Sequence, residues 1–162
     1  MSKPNLNDAL DKVEIVYSDV VSIANDILSP LFIPINNLVG EVNSKINSFT
    51  VEEIRNFMMR LQLRAYEISE TKEKSTLKAE LAETLRKEKY ATIFNEAQGI
   101  AGTKDNTALL AASEEIIVEA LYNLVANLLK TKLDQLQRLV DCLKSVLMSR
   151  MQEAKLSMNG LE

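Results

Sequence analysis

The chain has 162 residues, of which 46% are apolar and 26% charged, enough to build the core of one domain, or of one helical body with a smaller helical appendage, and too apolar for a disordered polyelectrolyte. Four Gly and three Pro leave room for few tight turns and disfavour a many-stranded sandwich or barrel, while the absence of histidine removes the commonest general base and the commonest metal ligand. The net charge of −4 argues against a surface given over entirely to nucleic acid.

The predicted elements begin at Asn7. From there to Leu28 the residues Leu10, Val13, Val16, Tyr17, Val20, Val21, Ala24, Ile27 and Leu28 recur every three or four positions, the spacing of one helix face. Ser29-Pro30 and then Pro34 are expected to stop this helix, because proline lacks a backbone donor and biases its predecessor away from helical angles. Ile35, Leu38, Val39, Val42 and Ile46 restart the spacing in a shorter helix, so residues 1–49 read as a small N-terminal helical hairpin with the apolar elbow LSPLFIP. Phe32 in that elbow is either an exposed docking knob or a side chain tucked beneath the two helices. The opening MSKPNLNDALDK has no apolar signal core, and no run approaches the roughly 18 to 20 uninterrupted apolar residues of a membrane span. A cytoplasmic protein without membrane contact is therefore expected.

Thr50 followed by Glu53 matches a capping box, in which each side chain satisfies the other residue's free backbone donor at a helix start. A second body, residues 50–162, is expected to begin there with a long helix. Ile54, Phe57, Met58, Leu61, Ala65 and Ile68 form its first stripe, whereas Leu77, Leu81 and Leu85 point well round from it and Ile93, Phe94 and Ala97 return. That slip predicts a kink, a break or a change of partner within residues 69–89, where charges of both signs crowd together and suit a solvated helix laced at four-residue spacing.

Gly99 and Gly102 lie in the one clear turn of the second half, and a chain reversal is expected between Gln98 and Thr107. From Ala108 to about Met158 there is neither Gly nor Pro, which predicts a single helix of roughly fifty residues, about 75 Å long, ended by Asn159-Gly160. Its apolar stripe includes Leu121, Val125, Leu128, Leu136, Leu143 and Met151. Lys132 and Arg150 fall inside that apolar arc, where a charge either fixes register between subunits or extends to the edge of the seam. A helix of this length cannot bury its stripe alone. The preceding helix is expected to cover part of it and other subunits the rest, with Lys132, Leu136, Leu143, Arg150 and Met151 at the subunit interface. Lys130, Lys144 and Lys155 cluster on the opposite face, a spacing that suits phosphates bound as point charges without sequence readout.

Little in the sequence suggests catalysis. Gly99 and Gly102 precede no Gly-Lys-Ser/Thr, and the adjacent carboxylates Glu52/Glu53 and Glu114/Glu115 diverge by about 100° on a helix and suit its first turn. Cys142, without a histidine beside it, is expected to be a small buried apolar residue. No catalytic residue, metal or cofactor is expected, and the fold class is all-α: a long antiparallel, coiled-coil-like hairpin with the smaller hairpin before it.

The order of features over residues 70–160 resembles that of the small helical proteins of phage recombination modules, the UvsY-type recombination mediators. The resemblance lies in a charged helix LKAELAETLRKEKYA, a turn GTKDNT, a long helix carrying LLKTKLDQLQRLVDCLKSVLMSRMQEAK, and an Asn-Gly end. It implies a homo-oligomer, ring-like, that binds single-stranded DNA and helps load a recombinase in the host cytoplasm. Together with the basic patches it makes Arg60, Arg64, Lys74, Lys78 and Lys89 on one helix, and Lys130, Lys144 and Lys155 on the other, the candidate DNA contacts. The alternative expectation is a purely protein-binding helical module, such as a virion assembly factor or an inhibitor of a host enzyme, which needs only the apolar stripes and the elbow.

Overall fold

A computed structural model describes residues 6–159, with side chains placed for 10–157. Helices α1 (Leu6–Lys45), α2 (Val51–Glu96), α3 (Ala101–Ala111) and α4 (Ser113–Asn159) account for the secondary structure, with no strand among the described residues. The all-α class expected from the sequence holds, and α2 packs antiparallel on α4: Lys78 meets Tyr122, Arg86 meets Glu119 and Lys89 meets Glu115. Residue 160, expected just past the last helix, lies outside the described residues.

The small N-terminal hairpin does not form. α1 runs unbroken through Pro30 and Pro34. Each proline removes the hydrogen bond to the carbonyl four residues back, those of Asp26 and Pro30, and both of these residues are exposed, so water can satisfy the carbonyls they carry. Flanking the prolines, Leu28, Ile35, Leu38 and Val42 are buried, and that packing holds the helix where local preference would end it. Phe32 is half-buried, with the Lys132 ammonium 5.2 Å from its ring centroid, so it is tucked against the fold and does not stand out as a knob. Without the break, Leu10–Lys45 is long enough, and over one 18-residue stretch apolar enough at a mean hydropathy of 1.2, to cross a membrane by length and composition alone.

The capping box at the start of α2 forms as expected. Thr50 N–H donates to Glu53 Oε2 at 2.7 Å, and Glu53 N–H donates to Thr50 Oγ1 at 3.2 Å. Phe49 stacks on Phe57 with centroids 4.6 Å apart and pins the entry of the chain. α2 then continues to Glu96 without the expected break, and the change of partner offered beside it is what occurs: the helix passes from one compact unit to another between Lys72 and Glu73. At about 100° per residue, buried Ser75, Ala79 and Ala82 continue the line of buried Ile54, Leu61 and Ile68. Small residues carry the inner face through the charged stretch, and Leu77, Leu81 and Leu85 belong to the outer face.

Among the described residues Gly99 alone takes a positive φ, 115°, and it carries the reversal after α2. Gly102 lies within α3, so the expected turn is two-part: a left-handed glycine followed by a short helix. The single helix expected from Ala108 onward is divided at Ala112, which caps α3 by donating its N–H to the carbonyls of Ala108 and Leu110.

Two compact units result. Unit 1 combines the described residues up to Leu28 with Glu73–Asn127; unit 2 combines Ser29–Lys72 with the described residues from Leu128 on. Unit 2 is built around Ile35, Phe57, Leu61, Leu129, Leu136 and Leu143. Unit 1 has a core of small side chains, Ala24, Ala79, Ala82, Ala108 and Ala112, with Leu28 and Val125 as its larger members.

Candidate interaction surface

The cations expected to contact DNA are mostly held by the protein. In unit 1 the Lys78 ammonium lies 3.4 Å from the Tyr122 hydroxyl and 4.9 Å from its ring centroid, and Lys89 bridges both carboxylate oxygens of Glu115 at 2.8 and 3.0 Å. With Arg86 on Glu119 at 2.8 Å, these form a polar ladder between α2 and α4. The expected lacing at four-residue spacing is present at Lys87–Glu83, while Arg86 and Lys89 cross to α4. Lys74 also interacts with a neighbour. In unit 2 Arg60 reaches Glu41 at 3.6 Å and stacks over Phe57, Arg64 pairs with Glu67, and Lys144 pairs with Asp141. Among the described residues of this set, Lys130 and Lys155 are exposed without a polar partner, and Lys78 is exposed with Tyr122 as its contact in place of an ion pair. The expected cations do not converge on one open strip.

The residues expected between subunits behave differently from the expectation. Leu136 and Leu143 are 1% and 0% exposed, buried within unit 2 by the chain's own helices. They are not available to another subunit, because the full-length α1 supplies the cover that a second chain was expected to provide. Lys132 donates to Asn36 Oδ1, and Arg150 donates to the backbone oxygen of Asn47. Lys132 reaches across the seam to α1 and Arg150 to the turn that follows it, where a carbonyl-type oxygen meets each head group. Met151 stays partly open at the outer part of α4. Cys142, expected to be buried, is exposed.

Hydrogen bonds to these cations hold several carboxylates below their ordinary range. Lys89 does so for Glu115, Lys144 for Asp141, and Lys87 for Glu83, while Glu53 is held down first by the Thr50 backbone N–H. On Tyr90 the effect is opposite. Its hydroxyl donates to Asp105 Oδ1 on α3, which favours the neutral phenol and raises its pKa. Of these, Glu115 with Lys89 and Tyr90 with Asp105 lock one helix to another, while the Glu83, Asp141 and Glu53 contacts stay within one helix or its cap.

Unit 1 also leaves large apolar side chains open. Leu77, Leu81 and Leu85 are 56, 55 and 57% exposed along the outer face of α2. On α1, Val13, Val16 and Ile23 are exposed, and Lys12, Val13, Val16, Tyr17 and Val20 form an open groove of about 400 Å³ against Ala120 of α4. These residues were missed as a site because an exposed leucine and a core leucine read alike in a sequence. The signal was an excess: α1 carries more apolar positions than one packed stripe can use, and α2 carries leucines on two faces. Comparison with protein-family models, with characterised proteins and with solved structures gave no match, so the function rests on this geometry.

Proposed function

We propose that the chain is a non-catalytic helical assembly protein that acts by binding other protein surfaces, with unit 1 as its binding half. One observation carries the reading: apart from Leu28 and Val125, the core of unit 1 is mostly alanine, while Leu77, Leu81, Leu85, Val13, Val16 and Ile23 stand exposed. A unit that needed only to stand alone gains from the reverse arrangement, since burial of large side chains is the main stabilising contribution to folding. Contiguous exposed apolar surface is the ordinary mark of an interaction site. The lack of histidine removes the commonest acid–base group, and Lys89, Arg86 and Glu115 are engaged as helix-to-helix locks. The single-stranded DNA reading has less support, because most of the cations it needs are already partnered within the chain.

Affinity capture from cells of the source, comparing the wild type with Leu81→Glu/Leu85→Glu, tests this. A defined protein retained by the wild type and lost with the variant is the expected result. A parallel fluorescence-anisotropy titration with a labelled oligonucleotide at two salt concentrations decides the DNA reading. Tight binding that weakens steeply with salt, with no protein captured, would overturn the proposal, because counterion release marks true phosphate binding.

A further inference from the structure

We infer that the groove on α1 in unit 1 is occupied by the same segment of a second copy of this chain, the two segments running antiparallel. The inference rests on the protein-binding reading and names one partner for it. Val13, Val16, Val20, Ile23 and Ile27 follow one another at alternating spacings of three and four, the repeat of a coiled-coil seam, and all five are β-branched. At about 100° per residue this seam lies roughly 80° round the helix from the line that α1 buries through Ala24, Leu28, Ile35 and Val42. One helix therefore carries two apolar lines, one used within the chain and one open.

Charge argues for a second copy and for its direction. Lys12, Asp19 and Asp26 occupy successive positions on one flank of the seam. In an antiparallel pair these flanks face each other, so Lys12 of each copy runs beside Asp26 of the other, two attractive contacts set against the one meeting of Asp19 with Asp19 at the centre. A parallel pair would set that flank against Leu10, Tyr17 and Ala24, which offer no charge. Area agrees. Leu10, Val13, Val16, Tyr17 and Ile23 are 57, 65, 42, 59 and 48% exposed. At roughly 180 Å² for a fully exposed large apolar side chain, they open about 500 Å² per copy. Two copies bring about 1,000 Å² together, the area a specific interface must clear. Ala120, the small residue on the α4 wall, leaves the room a helix needs. A lipid surface fits less well, since helices lying on membranes carry Lys and Arg on the polar face and this segment carries Asp11, Glu14, Asp19 and Asp26 against Lys12.

Sedimentation equilibrium of the full chain over a range of micromolar concentrations tests the pairing, with circular dichroism to check that each variant stays helical. The expected mass is twice the 18.2 kDa of one chain. Val16→Asp should abolish the pairing. Lys12→Glu, at an exposed position where folding has little at stake, should weaken it about tenfold, each contact occurring twice in a symmetric pair. Lys12→Glu combined with Asp19→Lys and Asp26→Lys should restore it, which a purely structural role for Lys12 would not do. A monomer at every concentration, a dimer indifferent to Val16→Asp, or flotation of the wild type with phosphatidylcholine–phosphatidylglycerol vesicles that Val16→Asp abolishes would each overturn the inference. If a monomer still captures a protein that Leu81→Glu/Leu85→Glu loses, the second-copy inference fails and the protein-binding function stands.

Discussion

Two glycines three residues apart have opposite roles, and the difference lies in one backbone angle. Gly99 sits at φ 115°, a region that side-chain-bearing residues rarely enter, although an added Cβ would meet only Thr103 at 3.5 Å or beyond. Gly99→Ala should therefore destabilise by about 1–3 kcal/mol through backbone strain alone. Gly102 lies inside α3 with open space around its Cα, so Gly102→Ala should stabilise by about 0.5–1 kcal/mol. Urea unfolding midpoints measure both, and equal effects at the two sites would contradict the assignment. Titration offers a second test at this scale. Glu115, held down by Lys89, and Glu53, held down by Thr50, have folded pKa values below their unfolded ones. Their contribution is therefore fully present above the unfolded carboxylate range and is lost as pH falls through the depressed folded values. With no histidine to titrate, the melting temperature should stay flat from pH 7 to about 5 and drop below that. Glu115→Gln should flatten the drop, and an unchanged acid limb would remove the Lys89 contact from the account.

At the scale of elements, what was legible was whatever depends on neighbours in sequence. The Thr50–Glu53 box, the helical periodicities and the reversal near Gly99 all follow from residues within a turn or two of each other, and all are present. What failed depends on distant packing. Pro30 and Pro34 say stop, but Leu28 and Ile35 on either side are buried deeply enough to keep α1 whole. The inner face of α2 through the charged stretch consists of Ser75, Ala79 and Ala82, which the eye passes over in favour of Leu77, Leu81 and Leu85. A leucine has no local mark that says inward or outward. The continuity of α1 has a direct test. Pro30→Ala restores a backbone donor inside a helix and removes the clash with the carbonyl four residues back, so it should stabilise by about 1–3 kcal/mol and raise the thermal midpoint. At the elbow of a hairpin the same change would gain nothing and would loosen the turn. A lowered midpoint would bring the hairpin back.

The whole molecule divides its stability as unevenly as it divides its side chains. Unit 2 encloses Ile54, Leu61, Ile68, Leu129, Leu136 and Leu143, each at or below 1% exposure, while unit 1 encloses mainly alanines. Burying a Leu or Ile contributes roughly 1.5–3 kcal/mol and an alanine methyl much less, so the two cores cannot resist opening equally. Leu61→Ala, which empties a fully buried site, should cost about 2–5 kcal/mol. Native-state hydrogen exchange reads the division directly, since amides exchange through the cheapest opening that frees them. Amides of residues 54–68 and 129–143 should exchange only near the free energy of global unfolding. Those of residues 75–82 and 108–125 should exchange through a smaller, earlier opening, held back mainly by the Arg86–Glu119 and Lys89–Glu115 ladder. Because that ladder is ionic and partly exposed, added salt should speed exchange in unit 1 and leave unit 2 unchanged. Protection of residues 13–27 should rise with protein concentration, because a second copy covers them in the paired state and water does in the free one. Uniform protection across both units, independent of salt and concentration, would mean that the alanine core is as firm as the leucine core, and the case for an unfinished unit completed by a partner would fall with it.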